Sequence, residues 1–273
     1  MDELNSNNNN ILVCYLITKF DNQKTLENFI THYKKFSSGL KHDLLICFKL
    51  LNNEIIKKYQ LLLKDINYIN FDDNSYLNDF DFGSYKRVAE HFPTKTIFFL
   101  NSHSYPITNN WLKKLTTHFK DKTIIGTSAS HESFFTTLKL KKFYKIFSFF
   151  KKYNKYKKFF EPFPNPHIRT SSFLIKGSDF LFFVRNKNFF DKEDTWIAES
   201  GFEGLTNFFI KKKFNIFVVN SEGRKFSKNN WKFSETYCYL NQSKSLISDK
   251  HSRKYLKLSF KERLITSIKV WGY

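Results

Sequence analysis

Ile11-Leu12-Val13-Cys14-Tyr15-Leu16-Ile17-Thr18 is an apolar run closed by a hydroxyl residue, and Leu26, Phe29, Ile30 and Tyr33 follow it at spacings of three and four. The run reads as a strand buried on both faces, and the spacing after it as one face of a helix. The alternation continues. Asp43–Phe48 is a second strand, Ile55, Ile56, Tyr59, Leu62 and Leu63 mark a helix, and Ile66–Phe71 is a third strand. After Asp81–Gly83, the residues Tyr85, Val88, Ala89 and Phe92 form another helical stripe, stopped by Pro93, and Thr96–Leu100 is a fourth strand. Pro106 and Thr108 open a further helix with Trp111, Leu115 and Phe119 inward, and Thr123–Thr127 closes the series. Strands alternating with helices imply right-handed βαβ crossovers, hence an α/β, Rossmann-like core with a mostly parallel central sheet flanked by helices. Ligands of such sheets bind beyond the carboxyl ends of the strands. Here those ends are Thr18–Asp21, Phe48–Lys49, Asp72–Asp73 and Asn101–His103.

Composition sets outer bounds. The 273 residues are 41% hydrophobic and 19% aromatic, ample for one large core. A formal charge of +20 points to anionic partners, but heavy use of Lys, Asn, Phe, Ile and Tyr is also what AT-rich coding produces. Without a recognition motif the charge identifies no specific nucleic acid partner. Cys14, Cys47 and Cys238 are widely spaced and form neither a zinc framework nor a disulfide scaffold, which suits a reducing cytoplasm. No apolar run reaches the roughly 18 residues of a membrane span, and the polar start does not read as a secretory signal. The expectation is a cytoplasmic protein, peripheral at the inner membrane at most. Neither GxGxxG nor GxxxxGK[ST] is present, which argues against a dehydrogenase or a P-loop NTPase.

Leu138–Phe160 stands apart: it holds nine lysines and no acid. Wound as a helix, it sets Leu140, Phe143, Phe147 and Phe150 on one face and Lys141, Lys145, Lys152 and Lys155 on the other. Two readings stay open. Such a helix can lie on an anionic membrane surface, or it can pack on the domain and leave its lysine face in water. Beyond Pro162, Pro164 and Pro166 the α/β pattern resumes, with His167–Lys176 strand-like, Leu205–Lys213 helical and Asn215–Asn220 a last strand.

Three blocks share an order that is familiar. They are Phe80-Asp81-Phe82-Gly83-Ser84-Tyr85 with Ile97–Ser104 and Trp111-Leu112; then Asn165-Pro166-His167-Ile168-Arg169-Thr170; then Glu199-Ser200-Gly201 with Leu205-Thr206, Val218-Val219 and Gly223. From about Ile11 to Gly272 the chain resembles bacterial glycosyltransferase-like proteins of the GT-A fold, of the family-2-like sort found in surface-polysaccharide assembly. The resemblance implies a disordered polar tail over 1–10 and a single glycosyltransferase-like domain over 11–273. Within that domain it implies a nucleotide-sugar half at 11–130, a basic amphipathic insertion at 138–160, and an acceptor half with the C-terminal tail at 161–273. The partners it implies are a nucleotide-sugar donor, a glycan or lipid-linked acceptor, and peripheral contact with an anionic membrane.

One departure matters. GT-A enzymes typically carry Asp-x-Asp at the end of the fourth strand to hold a divalent cation, and this chain reads Asn101-Ser102-His103 there. Mg and Mn prefer carboxylate oxygens, so His103 is the one side chain of the three suited to Mn, and a metal-independent donor site is the expectation. The resemblance places Asp81, Gly83, Ser84, Tyr85, Lys86, Asn101, Ser102 and His103 at the donor, with Arg87 beside Lys86 as a second cation. It places His167, Arg169 and Thr170 at the acceptor or a phosphate. An inverting transfer needs a carboxylate for the acceptor proton; Glu199 is the first choice, and Glu203 and Asp194 are the runners-up. Each has a structural alternative: helix capping for Asp81, Ser84 and Glu199, an exposed helical face for Lys86 and Arg87, and a buried ion pair with Glu199 or Asp194 for Arg169. Trp231 and Trp271 are candidate sugar-stacking rings, or core. The alternative function is a catalytically inactive GT-A scaffold in polysaccharide assembly.

Overall fold

The computed structural model describes residues 10–74, 78–139 and 142–272. The polar tail expected over 1–10 lies outside them except for Asn10, as do Leu140 and Lys141 of the lysine-rich stretch and the terminal Tyr273. The first half runs β1 (Ile11–Thr18), α1 (Gln23–Lys35), β2 (Asp43–Lys49), α2 (Asn53–Leu62), β3 (Ile69–Asp73), α3 (Phe80–His91), β4 (Thr96–Leu100), β5 (Tyr105–Pro106), α4 (Trp111–Thr116), β6 (Thr123–Gly126) and β7 (Ala129–Ser130). The basic helix α5 (Ile146–Phe159) follows a 3-10 turn at Phe143–Lys145. The second half runs β8 (His167–Ile168), β9 (Ser172–Lys176), α6 (Gly177–Val184), α7 (Lys192–Ser200), α8 (Leu205–Lys211), β10 (Asn215–Val219), β11 (Lys225–Phe226), β12 (Ile247–Ser248), α9 (Lys250–Leu256) and α10 (Phe260–Trp271).

Eight strands form the central sheet in the order β11-β10-β6-β9-β4-β1-β2-β3. β4-β1-β2-β3 are parallel, β6 and β10 are parallel to each other, and β9 runs antiparallel between β4 and β6. This is the mostly parallel, helix-flanked α/β sheet expected from the strand–helix alternation. β1 shows why its run is apolar throughout: Leu12, Cys14 and Leu16 join the core under α3 and α6, while Val13, Tyr15 and Ile17 join the core under α1 and α2. Asn22 and Asn52 cap α1 and α2 by accepting from Thr25 N and Ile55 N, so each helix begins right after a strand end.

Boundaries moved where side chains had partners elsewhere. Tyr105–Pro106 pairs with β12 and delays the next helix to Trp111. The third strand begins at Ile69, three residues later than expected. The expected strand His167–Lys176 breaks in two, because residues 169–171 leave the ladder and line a cleft. α5 is turned over relative to the domain-packed reading. Lys152 and Lys155 face inward to Glu193, and Phe143, Phe147 and Phe150 face out. Trp231 and Trp271 are buried core residues and present no ring to a sugar. Cys14, Cys47 and Cys238 are buried free thiols.

Candidate active site

Two adjoining hollows, of about 230 and 360 Å³, open at the carboxyl edge of the sheet. They share Arg169, Lys192, Trp196, Glu199 and His251, so they form one cleft. The smaller arm reaches Asp81 and Asn101, and the larger reaches Ser130 and His167. Among the residues expected from the sequence, Asp81, Asn101, His167, Arg169, Thr170 and Glu199 thus come together.

Glu199 sits in the last turn of α7, where the helix dipole disfavours an acid. It caps nothing there: α7 is started by the Asp191–Asp194 capping box, and the next helix begins after Gly204. One oxygen, Oε1, accepts from Thr170 N at 2.8 Å, which leaves Oε2 toward the cleft. Gly201 ends α7 at close quarters: a β-carbon there would stand 2.6 Å from Ile197 O and 2.9 Å from Phe159 O. Any side chain at 201 would push the turn that carries Glu199. The runners-up are placed elsewhere. Asp194 is spent on the capping box and on Phe190 N, and Glu203 pairs with Lys211 on the surface.

Asp81 lies in the first turn of α3 and borders the smaller hollow. Among the described residues no donor hydrogen-bonds its carboxyl, and burial, with Asp21 and Glu199 nearby and Lys49 opposing, pushes it up to about 6. Phe80 beside it holds a positive φ of 54°, a conformation non-glycine residues adopt only when their surroundings compel it.

Arg169 is fixed from three sides. Its Nη1 donates to Asp249 and, at 3.3 Å, to Ser128 Oγ, and its guanidinium carbon lies 3.7 Å from the Tyr237 ring centroid. The buried ion pair expected for this arginine is therefore made with Asp249, not with Glu199 or Asp194. Against the cost of burial, Arg169 holds Asp249 down at about 2. Asp249 also caps α9 through His251 N and Ser252 N. His167, buried and bonded through Nδ1 to Asn165 O at 2.8 Å, is lowered by burial, and so is His251. Burial favours the neutral imidazole at both.

The end of β4 is a shaped turn. Asn101 Oδ1 accepts from His103 N (3.2 Å) and Ser104 Oγ (2.7 Å), so its side chain is the spine of the turn as well as part of the cleft wall. Ser102 Oγ donates to Asp21 Oδ1 at 2.9 Å, and His103 Nε2 lies 3.4 Å from that same oxygen. Arg253 donates to His103 O at 3.1 Å and covers the Tyr105 ring. Burial lowers His103, with Lys250 and Arg253 acting in the same direction and Asp21 against it.

The donor candidates Gly83, Ser84, Tyr85 and Lys86, with Arg87, fall outside the cleft, and Ser102 and His103 line neither of its hollows. Ser84 is buried, donating to Asp73 Oδ2 at 2.6 Å and accepting from Lys49 Nζ. Tyr85 is packed against Phe99, Phe173 and Phe180 in the core. Tyr85 is on the apolar stripe it shares with Val88 and Ala89, and Ser84 is drawn inward by Lys49 and Asp73. Gly83 lets the Asp79 carboxyl lie against the helix: a β-carbon would stand 1.9 Å from Asp79 Cγ. Lys86 and Arg87 border a separate recess on the outer side of α3, and Arg87 is bound to Asp73 and Asp79.

Among the described residues the end of β4 offers few protein ligands for a divalent cation. Asp21 and His103 are the nearest approach to one, yet Asp21 Oδ2 already accepts from Thr18 N and Oγ1, and Oδ1 from Ser102. One occupied carboxylate and one imidazole would leave most of the shell of Mg or Mn to substrate phosphates and water. Among the described residues no group of three His, Cys, Asp or Glu could hold a metal ion. Cations of the protein stand at the same edge instead: Lys250 and Arg253 near His103, and Arg169 and Lys192 in the cleft. Sequence reasoning missed Asp21, Lys192, Trp196, Asp249, His251 and Arg253. The one available signal was Asp249-Lys250-His251-Ser252, a helix-start pattern beyond the last expected strand.

Compared with known protein families the sequence matches none, and it matches no curated protein. Among solved structures it is similar to the mannosyltransferase PcManGT from Pyrobaculum calidifontis in complex with GDP-Man and Mn2+, at 8% identity and TM-score 0.43 over 94% of this chain and 72% of that one. It is similar to the apo glycosyltransferase GlyE of Streptococcus pneumoniae TIGR4, at 8% identity and TM-score 0.43 over 75% of this chain and 44% of that one. A third is GalNAc-T7 with UDP, GalNAc and Mn2+, at 12% identity and TM-score 0.44 over 69% of this chain and 39% of that one. The chain spans less than half the length of the last two.

Proposed function

We propose that this chain is a glycosyltransferase that moves a sugar from a nucleotide-sugar donor to a surface-glycan acceptor, free or lipid-linked, by inversion and without a divalent cation. The observation that carries the reading is Glu199, pinned by Thr170 N in a cleft that also holds Asp81, Arg169, His167 and His251. Nothing in the folding of α7 calls for an acid at that position.

In the proposed reaction Glu199 takes the proton of an acceptor hydroxyl. That oxygen forms a bond to the anomeric carbon as the bond from the anomeric carbon to the donor diphosphate breaks. The electron pair leaves with the diphosphate, and the growing negative charge needs fixed cations. Lys250 and Arg253, beside the turn Asn101–His103, are the cations this reading assigns to that charge. His103 then serves as a donor contact and not as a Mn ligand. Asp81, with no protein donor on its carboxyl among the described residues, accepts from sugar or ribose hydroxyls.

Calorimetric titration with UDP-, GDP-, dTDP- and CMP-sugars, in Mn2+ and then in EDTA, tests this directly. Selective binding that persists in EDTA is expected, and binding that vanishes in EDTA would overturn the metal-free design. The second reading, a GT-A-fold scaffold without catalysis, is favoured by one feature, the replacement of the acidic pair by Asn101-Ser102-His103. It predicts no nucleotide-sugar binding under either condition.

A further inference from the structure

α5 presents the wrong face to water for a helix that belongs only to its own domain. Phe143, Tyr144, Phe147 and Phe150 are 83%, 72%, 87% and 54% exposed. The inward face is held without them: Tyr156 donates to Glu193 Oε1, Lys152 and Lys155 pair with Glu193, and Tyr153 packs on Phe135. Among the described residues the helix is thus anchored, and the contacts of the four exposed rings stay within their own segment, Tyr144 with Lys142 and Phe150 with Phe149, beside exposed Lys145, Lys151, Lys157 and Lys158.

We propose that this outer face of α5, with the turn before it, is a docking surface for an anionic lipid bilayer. Rings at the leading end and lysines along the rest are what an interfacial helix needs, the rings entering the acyl boundary and the lysines meeting headgroup phosphates. Charge decides among occupants. A second copy would bring the same acid-free lysine face against this one, in a chain of net charge +20. Like charges brought together cost free energy, whereas an anionic bilayer is complementary. A single-stranded polynucleotide would be expected to track a basic groove with rings spaced along it. Here the rings are gathered on the first turns of one convex helix. The apolar surface also continues past Phe135 to a hollow of about 710 Å³ between Thr136, Phe163, Ile265 and Ile268. Exposed Phe260 and Leu264 extend it along α10.

The docking face adjoins the cleft. Phe134 stacks on Trp196 at 4.7 Å within the cleft and also contacts Tyr156 and Phe160 at the end of α5. The Lys269–Glu132 pair (2.6 Å) forms the ridge between the cleft and the apolar hollow. A bilayer lying on α5 therefore brings lipid headgroups to the acceptor end of the site. This consequence rests on the transferase reading, but the docking surface does not.

Vesicle co-sedimentation of the full chain tests it. Vesicles of equal parts phosphatidylglycerol and phosphatidylcholine are expected to pull the protein down and pure phosphatidylcholine vesicles to leave it in solution. The double variant Phe143→Ser/Phe147→Ser, both sites exposed, should keep the wild-type melting curve and bind at least about tenfold more weakly, the loss of a small part of two buried rings. Lys151→Glu/Lys158→Glu should weaken binding as raised salt does. Absence of binding to the anionic vesicles overturns the proposal, as does equal binding by the Phe143→Ser/Phe147→Ser variant, which would reduce the effect to bulk charge. Ring-dependent binding of poly(U), or a ring-dependent dimer, in place of vesicle binding overturns it in favour of those partners. Glu199→Gln should bind vesicles like wild type, so failure of the transferase reading is seen separately.

Discussion

Two clusters of acids and cations stand at the carboxyl edge of the same sheet, and they differ in whether every charge is used. In the first, Lys49, Asp73, Asp79, Arg87 and Ser84 close on one another. Arg87 Nε and Nη2 grip Asp73 at 2.6 and 2.7 Å and its Nη1 reaches Asp79, while Lys49 Nζ bonds both Asp79 and Ser84. In the second, Arg169 is satisfied by Asp249, but Asp81 has no protein donor among the described residues and Glu199 has a single backbone donor. Two cations against two carboxylates with every bond made is a girder that ties β2, β3 and α3 together. An acid left with free oxygens in a cleft is a group waiting for a partner, because burial without pairing costs free energy that only a ligand returns.

The sharpest way to break this contrast is Glu199→Gln. Transfer should fall by about 10²–10⁴-fold, the usual range for a lost general base, with nucleotide-sugar affinity and the unfolding midpoint nearly unchanged. Single-turnover assays beside calorimetry would read both. A wild-type rate would remove Glu199 from the chemistry.

Lys49→Met should do the reverse. Lys49 is 2% exposed, and removing it leaves Asp73 and Asp79 with Arg87 as their one cation among the described residues, and Ser84 still on Asp73. Breaking a buried pair from one side costs about 3–5 kcal/mol, to be seen in urea unfolding, with transfer by the remaining folded protein preserved. A loss below about 1 kcal/mol would mean the girder carries no load.

The two clusters should also answer pH with opposite sign. Burial disfavours the charge of Asp73 and Asp79, but Arg87, Ser84 and Lys49 outweigh it and hold both below the usual carboxylate range. Their contribution is complete above the unfolded carboxylate value and is lost as pH falls through their folded values. Asp81, raised to about 6, works the other way. Its folded state binds the proton more tightly, so stability is highest below the unfolded value near 4 and declines as pH rises through about 6. Asp81→Asn should therefore stabilise the protein by about 1–2 kcal/mol at pH 7 and by nothing below about pH 4. Equal effects at both pH values would show that the carboxyl is not buried as described.

Much of this was legible in the chain because apolar periodicity reports burial directly. β1, β2 and β4 lie where their runs place them, and Asp81, Arg169, Thr170 and Glu199 meet because each follows or begins an element at the sheet edge. What was not legible depended on phase or on distance. Ser84 is held in the core by Lys49 and Asp73, partners on β2 and β3, while Tyr85 stays on the buried stripe it shares with Val88 and Ala89. Arg169 found Asp249 eighty residues away, a pairing that no local pattern encodes. α5 read as an amphipathic helix, but periodicity states only that two faces differ and not which one the domain receives. Glu193, one acid on a neighbouring helix, settled that by drawing in the lysines.

That third cluster supplies the smallest effect and bounds the comparison. Lys152, Lys155 and Tyr156 all meet Glu193, and burial notwithstanding, Lys155, Lys152 and Tyr156 hold its carboxyl at about 2. Unlike the girder, this cluster is wet: the lysine side chains are 42% and 38% exposed, so water screens the attraction. Glu193→Gln should cost only about 0.5–1 kcal/mol in urea unfolding, despite breaking as many bonds as Lys49→Met does. It should also free two lysines at the edge of the docking face, so binding to anionic vesicles should strengthen and not weaken. If Glu193→Gln instead cost as much as Lys49→Met, the number of bonds and not their burial would set the strength of a charge cluster in this fold, and the distinction between girder and site would have to be drawn on other grounds.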